Sequence, residues 1–98
     1  MTDLDLLRAD IAADPDLGVV LRAMHTLDDD AIPYARHQAG DLGMPTELWR
    51  QRVARLIAIG VATYGPLRDS DSGQPMGSSY WLTRRGTALR EELELEAA

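Results

Sequence analysis

Residues 39–60 read AGDLGMPTELWRQRVARLIAIG, and this stretch predicts two helices joined by a tight turn. Gly43 can adopt the positive φ that ends a first helix, and Pro45 suits the first turn of a second. Apolar residues then recur at helical spacing on one face; they are Trp49, Val53, Leu56, Ile57 and Gly60. Arg50 and Arg55 fall largely outside this stripe, so the second helix is predicted to be amphipathic and arginine-rich.

Helical patterns also precede this segment. Asp14-Pro15 predicts a helix start, because Asp is a common N-cap and Pro is accepted at the first helical position. The expected elements are helices over Asp3 to Ala13, Pro15 to about Leu27, Tyr34 to Leu42 and Pro45 to Ile59, with Ile32-Pro33 able to form a short edge strand.

A hairpin and a last helix are predicted after Gly60. Val61 to Tyr64 and Tyr80 to Leu82 have the branched and aromatic content of strands. Residues 68–79, RDSDSGQPMGSS, are rich in turn residues and predict a long loop. Thr83 is expected to cap a helix that runs to about Glu94.

The charge is unevenly distributed along the 98 residues, which we expect to form one domain over 1–98. The net charge of −6 divides into −6 over residues 1–30, +3 over residues 31–68 and −3 over residues 69–98. All ten basic residues are Arg. Because the only positive third contains the two-helix segment, the distribution favours an anionic partner there.

Other classes of function have little support in the sequence. Cysteine is absent, which excludes disulfides and cysteine-based metal sites. His25 and His37 lack metal-site spacing, and no arrangement indicates a catalytic residue or a phosphate loop, so we expect no metal, no cofactor and no enzyme. The N-terminus has no basic region and no apolar run reaches membrane-spanning length, which predicts a soluble, cytoplasmic protein without a membrane partner.

The order of elements and three sequence motifs resemble a known fold. QAGDLGMP, VARLIAIGVATY and YWLTRRGTALREEL are similar to the turn, the recognition-helix end and the strand-to-helix junction of MarR-like and PadR-like regulators. The resemblance covers about residues 16–95 and implies a winged helix-turn-helix. The expected fold class is therefore mostly α with a small β-hairpin, extended by an N-terminal helix in residues 1–14 and a C-terminal helix in residues 83–98.

That resemblance implies a regulator of transcription that binds double-stranded DNA, with the helix at residues 45–59 in the major groove. Side chains implied to reach base edges are Thr46, Glu47, Arg50 and Gln51, while phosphate contacts fall to Arg52, Arg55, Arg36 and Arg68. Gln51 stands where many MarR-like proteins have Arg, so a base preference does not transfer.

Two further expectations concern partners. The terminal helices carry Leu4, Leu7 and Ile11 at one end and Leu89, Leu93 and Leu95 at the other, which predicts pairing across a two-fold axis in a homodimer. The alternative to DNA binding is a winged-helix module for protein interaction that binds no DNA. Its partner would bind the acidic N-terminal region or the wing, where Asp69 and Asp71 follow Arg68.

Overall fold

The computed structural model describes residues 2–26, 35–68 and 71–97, and these form five helices and one two-stranded sheet. The elements follow one another as α1 (Asp3–Ala13), α2 (Pro15–Ala23), α3 (Ala35–Leu42), α4 (Thr46–Ala58), β1 (Ala62–Arg68), β2 (Pro75–Leu82) and α5 (Arg84–Ala97). This confirms the expected fold class, a mostly helical chain with a small hairpin in a winged-helix-like arrangement. The suggested edge strand at Ile32-Pro33 lies outside the described residues.

One hydrophobic core joins all of these elements. Its buried members are Leu7, Leu17, Val20, Leu21, Met24, Ala39, Trp49, Val53, Leu56, Val61, Ala62, Leu82 and Leu89. The apolar stripe of α4 supplies three of them, as predicted, but Ile57 at the edge of the stripe is 38% exposed. Gly60 follows the helix rather than forming part of it, and its φ of 81° reverses the chain toward β1.

The turn between α3 and α4 has the predicted geometry. Gly43 has a φ of 72°, and the N–H of Met44 donates to the carbonyl of Ala39 at 3.1 Å, which satisfies a carbonyl at the end of α3. Pro45 occupies the N-cap position of α4 rather than its first turn, and its side chain makes no capping hydrogen bond. The helix therefore begins one residue later than predicted.

The end of α2 was predicted incorrectly. The helix ends at Ala23 rather than near Leu27, and Met24 has an extended ψ of 141°. The carbonyl of His25 accepts a hydrogen bond from the N–H of Leu82 at 2.8 Å, and Thr26 forms a parallel bridge to Leu82. Pairing with β2 therefore draws this segment out of the helix, which is a tertiary effect that helical periodicity does not report.

The hairpin is longer than predicted. Its antiparallel register pairs Ala62 with Leu82 and Tyr64 with Tyr80, with an irregularity between Pro66 and Arg68. Residues 75–79 lie in β2, although the sequence places them in a loop. Ser79 is fully buried, and its hydroxyl accepts a hydrogen bond from Nε2 of Gln38 on α3 at 2.6 Å. Ser79 is thus held in the strand by a partner on another element.

The junction between β2 and α5 explains the motif Leu-Thr-x-x-Gly. Thr83 caps α5 as predicted, since its hydroxyl accepts from the N–H of Gly86 at 3.0 Å and donates to the carbonyl of Gly60 at 2.9 Å. A Cβ at Gly86 would lie 1.9 Å from the carbonyl oxygen of Val61. This closeness of α5 to the start of β1 requires glycine at residue 86.

Candidate nucleic-acid interface

The outward face of α4 is the surface that the sequence singled out. Thr46, Glu47, Arg50 and Gln51 are all exposed there, opposite the buried Trp49. Further along the same face lie Ala54 and Ala58, both exposed, whose small side chains leave the helix backbone accessible. The structure therefore brings the four predicted base-contacting residues together on one face of α4.

Arg50 is the cation on this face that is available to a partner. Within the described part of the chain, no carboxylate lies at ion-pair distance from Arg50. Glu47 precedes it by three residues on the same face and keeps the local charge low. Gln51 accepts a hydrogen bond from Arg52 at 3.3 Å, which orients its amide group. Arg50 and Gln51 are the two long polar side chains that the middle of this face presents.

Arg52 and Arg55 are engaged within the chain. Nε of Arg52 lies 2.9 Å from Oδ2 of Asp14, without hydrogen-bond geometry, and Nη2 lies 3.3 Å from Oδ1. Nη2 of Arg55 donates to both carboxylate oxygens of Asp10 at 3.0 Å. Asp14, predicted as a side-chain cap of α2, makes no capping hydrogen bond and faces α4 instead. Much of the positive charge of the central third is therefore neutralised by α1 and the α1–α2 joint.

The wing contributes one predicted residue and one that the sequence missed. Arg68 is exposed and donates to the carbonyl of Gly73 at 3.0 Å, which closes the base of the wing tip. Tyr64, on the same face of β1 as Arg68, is 53% exposed, and its hydroxyl donates a hydrogen bond to that of Ser78. Its ring contacts Tyr80, whose ring meets Trp49 of α4 edge-on at a centroid distance of 5.3 Å.

This aromatic chain connects the wing to α4 and places a hydroxyl on the wing surface. The alternation of Tyr64, Pro66 and Arg68 along β1 was the signal that would have identified Tyr64. The side chain of Arg36, the remaining predicted phosphate contact, lies outside the described part of the structure. His37 on the same helix is exposed. Asp69 also lies outside the described residues, and Asp71 at the wing tip is exposed.

The described residues contain no group of three or more His, Cys, Asp or Glu side chains arranged to hold a metal ion. None of the helices over residues 2–26, 35–68 and 71–97 is both long enough and apolar enough to cross a bilayer.

Comparison with known proteins supports the architecture. No family model and no curated protein matches the chain. Among solved structures, the chain is similar to a protein of Ralstonia eutropha JMP134 described as a "putative DNA-binding protein". The TM-score is 0.61 at 24% identity, over 82% of this chain and 95% of that one. The two proteins therefore share a fold, and the class defined here is a winged-helix-like protein.

Proposed function

We propose that this chain binds double-stranded DNA, with the N-terminal half of α4 in the major groove, and that it regulates transcription in the cytoplasm. The observation that carries the proposal is the exposed face of α4, where Arg50 and Gln51 stand outward on the second helix of a helix-turn-helix. An Arg in this position can read guanine and a Gln can read adenine. The description of the Ralstonia eutropha protein as DNA-binding agrees with it.

Few phosphate contacts are expected because Arg52 and Arg55 are compensated. Each neutralised phosphate contributes about −0.9 to the slope of log affinity against log salt. Arg50 and Arg68 would therefore give a shallow slope for one chain, and a contact from the neutral hydroxyl of Tyr64 would add nothing to it. Specificity would then come from base contacts by α4 rather than from general electrostatic attraction. The proposal includes no catalytic step.

The test is selection from a randomised duplex library at low salt, followed by affinity measurements on the enriched sequence. Arg50→Ala should lower the affinity by about 1–3 kcal/mol and relax the preference at one base position. Arg84→Ala is the matched control, since Arg84 is an exposed arginine at the start of α5 and not on α4. Equal losses in both variants, or no enrichment of any sequence, would contradict the proposal.

A second candidate is a winged-helix module that binds protein and not DNA. It is favoured by the ion pairs that neutralise Arg52 and Arg55 and by the net charge of −6. The outcome that selects it is a folded chain that binds no duplex at low salt. A basic peptide partner would then bind the acidic surface rather than α4, and added salt would weaken this binding.

The homodimer stays a prediction, but most of the leucine and isoleucine residues expected at its interface pack within one chain. Leu7 and Leu89 are core residues of one chain, and Leu4, Ile11 and Leu93 pack against that core. Leu6 at 50% and Leu95 at 76% exposure are the large hydrophobic residues that the described parts of α1 and α5 leave exposed. We propose these two for the dimer contact, and light scattering of Leu95→Glu against wild type at tens of micromolar tests it. A wild-type monomer would disprove it.

A further inference from the structure

A groove of about 410 Å³ lies between α1, α2 and α5, on three helices other than α4. This volume falls in the range of small-molecule sites, about 300–1,000 Å³. Its apolar lining comes from Ile11 and Ala12 of α1, Gly18 and Leu21 of α2, and Leu93 of α5. Gly18 permits α2 to pack closely on α1 at this floor, because a Cβ at residue 18 would lie 3.0 Å from Ile11 Cγ2.

Four charged side chains surround this apolar floor, and their partners differ. Arg8 is neutralised by Asp5 at 2.7 Å and by Glu96, whose Oε2 lies 2.8 Å from its Nε. Arg90 donates to the carbonyl oxygens of Met24 at 2.7 Å and of Arg22 at 3.4 Å, so its partners are neutral.

Arg22 is exposed at the same rim. In the described segments, no carboxylate lies at ion-pair distance from Arg22 or Arg90. Glu94 supplies the one negative charge among the lining residues. Because Arg8 pairs with both Asp5 and Glu96, the charges around the groove sum to zero, but within the described segments Arg22 and Arg90 are its two cations without an ion-pair partner.

We propose that this groove binds an amphipathic organic anion, with an alkyl body on the apolar floor and a single carboxylate at Arg22 and Arg90. Burial of the alkyl chain supplies about 0.8 kcal/mol for each methylene. The guanidinium groups select an anionic head over a neutral one because a charge-assisted hydrogen bond is stronger than a neutral one. This site lies away from the exposed face of α4 and does not depend on DNA binding.

The experiment titrates the full chain with octanoate and, as the neutral match, with 1-octanol, and follows the methyl groups by NMR. Octanoate should shift the methyl signals of Ile11, Leu21 and Leu93 and leave those of Leu48 and Ile57 on α4 unchanged. Octanol should bind about tenfold more weakly. Equal affinity for the two compounds, or shifts spread over the whole chain, would overturn the proposal.

Two variants with matched controls locate the site. Ala12→Phe places a ring in the groove from an exposed helical position and should abolish octanoate binding, while Ala13→Phe, at an exposed neighbour outside the lining, should not. Arg22→Gln should remove the preference for octanoate over octanol, and Arg84→Gln should keep it. Unchanged octanoate binding in Ala12→Phe would overturn the proposal. So would a loss of dimer mass in Ala12→Phe without any octanoate binding to wild type, because a second copy would then occupy the groove.

Discussion

Nη2 of Arg55 lies 3.0 Å from both carboxylate oxygens of Asp10, which ties the α4 helix to α1. The sequence places Arg55 on the free surface of a basic helix, whereas the structure gives its charge an internal partner 45 residues earlier in the chain. With Arg52 also paired, to Asp14, α4 presents much less positive charge to a partner than its composition indicates.

Asp10→Asn should therefore raise the affinity of the chain for any duplex at low salt. The variant releases the charge of Arg55, and the gain should be independent of DNA sequence. The free energy of unfolding should fall by at most about 1 kcal/mol, because the pair is partly exposed. Fluorescence anisotropy and urea denaturation measure the two effects. Asp16→Asn is the control, since Asp16 is an exposed carboxylate on α2. An equal gain in affinity there would show that the effect comes from the net charge alone and not from the release of Arg55.

Gly86→Ala should destabilise the fold strongly. The added methyl group would lie 1.9 Å from the backbone oxygen of Val61, so α5 must move away from β1. We expect a loss of about 3 kcal/mol or more in the free energy of unfolding, measured by urea denaturation. Gly40→Ala in α3 should instead gain about 0.5–1 kcal/mol, because nothing lies within 4 Å of the new Cβ and alanine favours a helix. A loss in both variants would mean that the contact is not the cause.

Ser79→Ala should separate the wing from α3. The change deprives the buried Nε2 of Gln38 of its acceptor at 2.6 Å and leaves it the carbonyl of Tyr80 at 3.2 Å, so we expect the loss of one buried hydrogen bond, about 0.5–1.5 kcal/mol. Hydrogen exchange should increase in β2 together with the loss of stability. Ser78→Ala, which removes only the exposed hydrogen bond from Tyr64, should cost less. If the two variants are equally stable, the Gln38 contact makes no net contribution.

Acidification should weaken the contact between α1 and α5. The pKa of Glu96 is lowered chiefly by its hydrogen bond from Arg8, and the pKa of Asp5 is lowered by hydrogen bonds from the backbone and side chain of Thr2. A carboxyl with a lowered folded-state pKa stabilises the fold above its unfolded pKa, and this contribution is lost as pH falls through the folded value.

The Tm of Glu96→Gln should therefore lie below that of wild type at about pH 7, and the two should converge toward about pH 2. Circular dichroism melting curves across this range provide the measurement. Glu92→Gln, an exposed carboxylate on the same helix, should follow wild type throughout. A constant difference between Glu96→Gln and wild type would show that protonation is not responsible.

Local signals predicted much of the fold. The bounds of α1, the reversal at Gly43 and the cap at Thr83 follow from interactions between residues a few positions apart. In α1, for example, Thr2 and Asp5 form a capping box within the first turn. The residues that form such contacts lie close together in the sequence, so residue type and spacing were enough to predict them.

Tertiary contacts decide what the sequence did not predict. The end of α2 depends on the hydrogen bond between His25 and Leu82, and the length of β2 depends on the burial of Ser79 against α3. The exposed face of α4 was visible in its periodicity. The compensation of Arg55 was not, because the carboxylate that provides it lies in a different helix.

The residues of α4 divide into those that anchor the helix in the fold and those that face solvent, which affects how such a protein can evolve. The positions that anchor the helix, Arg52 and Arg55, point toward α1, while Glu47, Arg50 and Gln51 face solvent and carry almost none of the packing. Substitutions at those three positions can change the surface that the helix presents at little cost in folding. If α4 reads DNA as proposed, a lineage carrying this chain can therefore change its target sequence by single steps, without first having to gain stability.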